Sequence, residues 1–225
     1  MYQFISGPLV WLAFIVFFVG LIVRIVWYIR GLDWQIDRVA YTAHLGAGIK
    51  GALRSILHWL IPYGSKNWRL RPLFTLVLFA FHIGLIVTPI FLEGHVVLLN
   101  QRLGLEWPTL PSFAADFLTI TVLVAALCIV IRRIGLPEVR ILTTWYDYLL
   151  IVLTVAPFCT GFLAVHRIGD YDFWLLMHIL SGEILLIAIP FTKLYHVVGF
   201  FLTRMQIGMD YGIKRGGMKG RGIAW

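Results

Sequence analysis

Charge is scarce in this chain of 225 residues: Asp, Glu, Lys and Arg together supply 13% of it, and only 11 residues are acidic. So little charge cannot cover the surface of a soluble domain of this size. Cysteine is scarcer still. Cys128 and Cys159 lie inside apolar runs with no CxxC or CxxCH spacing, which excludes a disulfide framework, a cysteine-held iron–sulfur cluster and covalent c-type haem attachment. The two read as packing residues. No internally repeated halves are visible, which argues against a transporter built from inverted repeats. The N-terminal apolar run has no early basic region and no small-residue cleavage pattern and is too long for a signal peptide, so it reads as a retained helix.

What the chain has in abundance is apolar residues, 60% of the total. Five stretches, 8–29, 72–93, 113–132, 145–164 and 174–200, are long enough to cross a hydrocarbon core of about 30 Å as helices. The expected fold is therefore all-α: a five-helix membrane domain over 1–212 followed by a basic, Gly-rich tail at 213–225. The net charge of +8 comes with no basic stripe of interleaved aromatics, so nucleic acid is not expected as a partner. Its distribution reports topology instead. Seventeen of the 19 Lys and Arg fall in the first helix's inner half, after the first and third stretches, or from Lys193 onward. Only Arg102 and Arg167 fall on the opposite side. Basic residues accumulate on the cytoplasmic side, which puts the N-terminus outside and the C-terminus inside.

Residues 40–61 carry apolar positions at helical spacing beside His44, Lys50, Arg54 and His58, the pattern of an amphipathic helix on the inner interface. Pro62 and Gly64 end it. The tail from Ile213 is too polar to form a core and is expected to dock on a partner subunit or on anionic lipid. No stretch is long and polar enough for a soluble redox domain.

Four of the seven histidines lie within or at the ends of the apolar stretches: His82, His95, His178 and His196. Ionisable groups are costly in a bilayer and generally face a bundle interior. Neutral imidazole is an axial ligand of haem iron, and facing helices can supply one histidine each. The 18 residues from His178 to His196 make five turns of an uninterrupted helix, which would put both on one face about 27 Å apart. Chain direction then pairs His82 with His196 on the inner side and His95 with His178 on the outer side, giving two b-type haems. From His82 to His95, however, a straight helix turns by about 220°, so a distortion near Pro89 is required. The competing reading for each is a hydrogen-bonded packing histidine. His166, near the outer surface, is the alternative ligand for the outer haem, and His44 and His58 read as interfacial. Other classes that membrane histidines allow are a proton-conducting transporter and a haem-free anchor for soluble redox subunits.

At FHIG (81–84) and PFTKLYH (190–196) the sequence resembles the gamma subunit of respiratory nitrate reductase, a five-helix dihaem cytochrome b whose inner axial histidines fall on His82 and His196. That family's other fifth-helix histidine falls on His178. In TPIFLEGH (88–95) the chain departs from it, since the family's second histidine would fall on Leu92. PIFLEGH and GEILLIAIPFTKLYH are similar to phrases of the cytochrome b subunits of the Hmc and Tmc transmembrane redox complexes of sulfate-reducing bacteria. The resemblance implies an electron carrier between a periplasmic multihaem cytochrome c, menaquinone, cytoplasmic iron–sulfur subunits and other membrane subunits. It also directs attention to a quinone site at the outer haem, where Glu93, Arg102 and His166 are the polar candidates. Glu183, one turn past His178, is an intramembrane carboxylate that can relay protons, bond a histidine, or simply be hydrogen-bonded in the bundle. Lys193 and Arg71 suit haem propionates or lipid phosphate. Tyr146, Asp147 and Tyr148 read as an interfacial belt.

Overall fold

The computed structural model describes residues 2–32 and 44–214, and within them every regular element is helical. A π-helical turn (Ile5–Leu9) leads into α1 (Val10–Arg30). Then follow α2 (Leu45–Leu60), α3 (Lys66–Leu70), α4 (Pro72–Phe91), α5 (Glu93–Leu103), α6 (Ser112–Gly135), α7 (Pro137–Arg140), α8 (Trp145–Val165) and α9 (Tyr171–Phe191). A 3-10 turn (Lys193–Tyr195) leads into α10 (His196–Lys214). Five helices, Ile5–Arg30 together with α4, α6, α8 and α9, are long and apolar enough to cross a membrane. Their outward faces are as apolar as their inward ones: Ile15, Phe18, Ile22 and Trp27 of α1 are all exposed. Such surface is tolerated where hydrocarbon, not water, is the solvent.

The chain divides into two compact units. The first comprises Met1–Val10 and Leu76–Leu185. Its core is Phe81 of α4 against Val122, Ala125 and Ala126 of α6, with Ile151, Val155 and Phe158 of α8 packed on it. Gly84 permits the close approach, because a Cβ there would stand 2.6 Å from a Val122 methyl. Asp147, placed by sequence in an interfacial belt, caps α8: its carboxylate accepts from Thr144 N at 2.8 Å and Thr144 Oγ1 at 3.0 Å.

The second unit comprises Trp11–Thr75 and Leu186–Trp225. Here α2 lies along α10 through small residues: a Cβ on Gly208 would stand 2.5 Å from Gly51 O and 2.7 Å from Ala52 Cα. Gly48, Gly51, Ala52 and Ser55 form the buried face of α2. Leu45, Ile49, Leu53, Leu57 and Leu60 form a separate exposed stripe. Lys50, Arg54 and His58, at four-residue spacing, occupy the sector between. The expected amphipathic helix is thus present from Leu45; residues 40–43 lie outside the described residues. Arg204 of α10 caps the arrangement with its guanidinium 4.2 Å from the Trp59 ring centroid. Burial draws that guanidinium below the ordinary arginine range. Of the polar tail, residues 215–225 lie outside the described ones.

Two breaks change what the apolar lengths led one to expect. The stretch 72–93 ends as a helix at Phe91, and Leu92 is extended (φ −69°, ψ 130°) before α5 begins. The stretch 174–200 is not one helix: it starts earlier, at Tyr171, ends at Phe191, and resumes as α10 only at His196. Pro190 offers no N–H, and Thr192 turns extended (φ −120°, ψ −176°), its hydroxyl accepting from Leu194 N at 3.2 Å. The uninterrupted five-turn phase between His178 and His196 is therefore absent.

Candidate functional site

A break at Leu92, three residues past Pro89, separates His82 from His95. It starts a new helix with His95 in its first turn, and Pro89 O, which no longer serves a continuing helix, accepts from His95 Nδ1 at 2.8 Å. From the other side, α9 presents His178, whose Nδ1 donates to Pro157 O of α8 at 2.8 Å. The imidazoles of His95 and His178 come together with ring centroids 5.9 Å apart and planes within 7° of parallel. A glycine makes this possible, since a Cβ on Gly161 would stand 2.8 Å from His178 Nδ1. Ser181 Oγ donates to His178 O at 3.0 Å and lies 3.4 Å from Thr160 Oγ1, tying α9 to α8 beside the histidine.

The other two histidines repeat the local chemistry. His82 Nδ1 lies 2.8 Å from Leu78 O, one turn back in α4. His196 Nδ1 lies 2.9 Å from Lys193 O in the 3-10 turn. A carbonyl oxygen only accepts, so each contact places the ring proton on Nδ1 and leaves Nε2 as the basic nitrogen. That is the arrangement in which metal-ligating histidines are oriented by a backbone carbonyl. His82 belongs to the first unit and His196 to the second.

Among the described residues no group of three or more His, Cys, Asp or Glu side chains converges as a metal site. A two-histidine set suits a metal that brings its remaining ligands with it, as haem iron does. Metal–imidazole bonds of about 2 Å on both sides would put ring centroids roughly 6 Å apart when both Nε2 atoms point at the metal, and the observed centroid distance is 5.9 Å.

The three quinone candidates separate. Glu93 lines a cavity of about 480 Å³ together with Val96, Val97, Asn100, Glu106, Trp107, Pro108 and Thr109. Its wall is held by Trp107 Nε1 donating to Ile90 O at 2.9 Å, Leu110 N to Phe91 O at 2.9 Å, and Asn100 Nδ2 to Glu106 Oε2 at 3.0 Å. Arg102 does not line it. His166 does not either, since its Nε2 contacts Asp116 Oδ1 at 3.1 Å and joins the end of α8 to the start of α6. Glu183 is buried, 4% exposed, and neither carboxylate oxygen has a hydrogen-bond partner, so it does not bond a histidine. Sequence reasoning passed over Gly161, Asp116 and the cavity's Asn100, Glu106 and Trp107. Nothing local in the sequence marks them, because each matters through a residue at least six positions away.

Over 226 aligned residues, covering all of both chains, the sequence is 53% identical to a protein of Nitratidesulfovibrio vulgaris (strain Hildenborough) whose name, "Protein", states no activity. No family model matches the chain, and no solved structure matches it.

Proposed function

The chain belongs to the same family as that Nitratidesulfovibrio vulgaris protein, and we propose that it is the membrane cytochrome b subunit of a respiratory redox complex, carrying electrons through two b-type haems. The observation that carries this reading is the parallel pair His95 and His178, drawn from α5 and α9 to a centroid distance of 5.9 Å. Bound haem supplies a one-electron carrier of adjustable potential. The protein's part is to hold the iron through Nε2 of each histidine and to keep each ring's orientation through its Nδ1–carbonyl bond, which also raises the basicity of the ligating nitrogen.

His95 and His178 make the outer pair in this proposal. His82 and His196 make the inner one, assigned from chain direction and from the FHIG and PFTKLYH motifs, and supported by the same Nδ1–carbonyl arrangement. The chain lies in the inner membrane with its N-terminus outside, as the charge distribution argues. Two haems at different depths then connect a periplasmic multihaem cytochrome c with cytoplasmic iron–sulfur subunits, alongside other membrane subunits. We place menaquinone at the cavity lined by Glu93, two residues from His95. There the carboxylate can accept a proton from a hydroquinone while the valines and Trp107 meet its ring.

The reading is tested by purifying the protein and recording a reduced-minus-oxidised spectrum with a haem count. Two low-spin b haems per chain are expected; a colourless protein sinks the proposal.

A further inference from the structure

One face of α1 meets the segment around Pro190–Gln206 at one-turn intervals, entirely within the second unit. Gly20 admits Pro190, with 2.7 Å between its would-be Cβ and the proline Cβ. Four residues on, the Arg24 guanidinium lies 4.7 Å from the centroid of the Tyr195 ring. Four further on, the Tyr28 hydroxyl donates to Gln206 Oε1. Positions 20, 24 and 28 share a helix face, so this packing holds Arg24 against the turn that precedes His196. Gly199 leaves room for the ring: a Cβ there would stand 2.6 Å from it.

Within this contact two donors go unused. Arg24 Nε and the Tyr195 hydroxyl are both buried without a hydrogen-bond partner, and no carboxylate among the described residues pairs with Arg24. A buried guanidinium N–H and a buried hydroxyl without acceptors are costly. An oxyanion would satisfy both, the guanidinium through charge-assisted bonds and the phenol through one more. Tyr195 is adjacent in sequence to a proposed haem ligand, and haem carries two carboxylates.

We propose that Arg24 and Tyr195 form an oxyanion site for a propionate carboxylate of the haem held at His196. This rests on the haem reading above. A fixed positive charge at that carboxylate favours the reduced iron, so the site sets the potential of one haem and not of the other.

The test is a redox titration followed optically in the purified full-length protein, with His196→Ala identifying which midpoint belongs to the inner haem. Arg24→Gln is expected to lower that midpoint and leave the other unchanged, with two haems retained. Tyr195→Phe, which keeps the ring beneath the guanidinium, should lower it less, and Arg24→Lys should restore most of it. Loss of only the inner haem in Arg24→Gln, with retention in Arg24→Lys, supports the same assignment. Unchanged midpoints in a two-haem Arg24→Gln protein overturn it while leaving the haem reading intact. A phospholipid found by native mass spectrometry on the wild type and absent from Arg24→Gln, with both midpoints unmoved, reassigns the oxyanion to lipid phosphate and likewise overturns it. A colourless wild-type protein removes both proposals.

Discussion

His95 and His178, 83 positions apart in the sequence, face each other with ring planes within 7° of parallel and centroids 5.9 Å apart. Each is held by a proline carbonyl, that of Pro89 and that of Pro157 respectively. If this pair holds an iron, replacing either member removes one haem and spares the other. His95→Ala and His178→Ala are each expected to show half the wild-type haem content, with the same midpoint missing from both titrations. Different missing midpoints in the two variants would break the pairing.

Gly161 sets the position of His178 sterically. In Gly161→Ala the added methyl must displace a ring nitrogen 2.8 Å away, and overpacking of this kind typically costs about 1–3 kcal/mol. Because the strained group is a proposed ligand, electron paramagnetic resonance of the oxidised protein should show a shifted or lost low-spin signal for the outer haem alone. A spectrum identical to wild type would remove Gly161 from the site.

His166 contacts Asp116 in the structure, and the proposed set of haem ligands leaves it out. Both partners are more than a third exposed, so the pair contributes at most about 1 kcal/mol. His166→Ala and Asp116→Asn are expected to retain two haems with little change in thermal stability. Loss of the outer haem in His166→Ala would restore His166 as the ligand in place of His95.

At the cavity, Glu93→Gln keeps the shape and removes the base. Haem content should be unaffected while the rate of haem reduction by a menaquinol analogue falls, by about 100-fold if Glu93 takes the quinol proton. Stopped-flow spectroscopy reads both. Arg102→Gln, which alters no cavity wall, serves as the comparison, and an equal loss there would detach the effect from the cavity.

The α2–α10 contact depends on glycine. Gly208→Leu forces a side chain against Gly51 O and Ala52 Cα, 2.5 and 2.7 Å from the Cβ position. The cost should exceed about 2 kcal/mol, seen as a lower melting temperature in detergent and faster proteolysis of the 45–75 segment. Leu53→Gln, on the exposed stripe, should leave the melting temperature in detergent within a few degrees of wild type.

Much of this molecule is legible locally. Apolar runs of about 20 residues have essentially one way to satisfy their backbone in hydrocarbon, so five helices follow from length and composition. The three-sector pattern of α2 follows from the 3.6-residue period in the same way. His82, His95, His178 and His196 stand within or at the ends of those runs, but so does His166, two residues past 145–164, and position alone does not separate them.

Phase across a long segment is a different matter. A stretch such as 174–200 has one hydropathy and two possible backbones. Pro190 and Thr192 end α9 and start a new helix at His196, so the five-turn relationship drawn from an unbroken helix does not exist. At Leu92 a break of the same kind starts a new helix, from which His95 meets His178.

Composition and periodicity thus determined by themselves that the chain is helical, that five of its helices are apolar enough to cross a membrane, and which histidines to consider. Only the tertiary structure decided that His95 meets His178, that His166 is engaged by Asp116, and that Arg24 lies over Tyr195. The physical reason is that burial and helical period are summed over many residues, whereas these meetings turn on the dihedral angles of one or two residues and on a missing Cβ at Gly20 or Gly161.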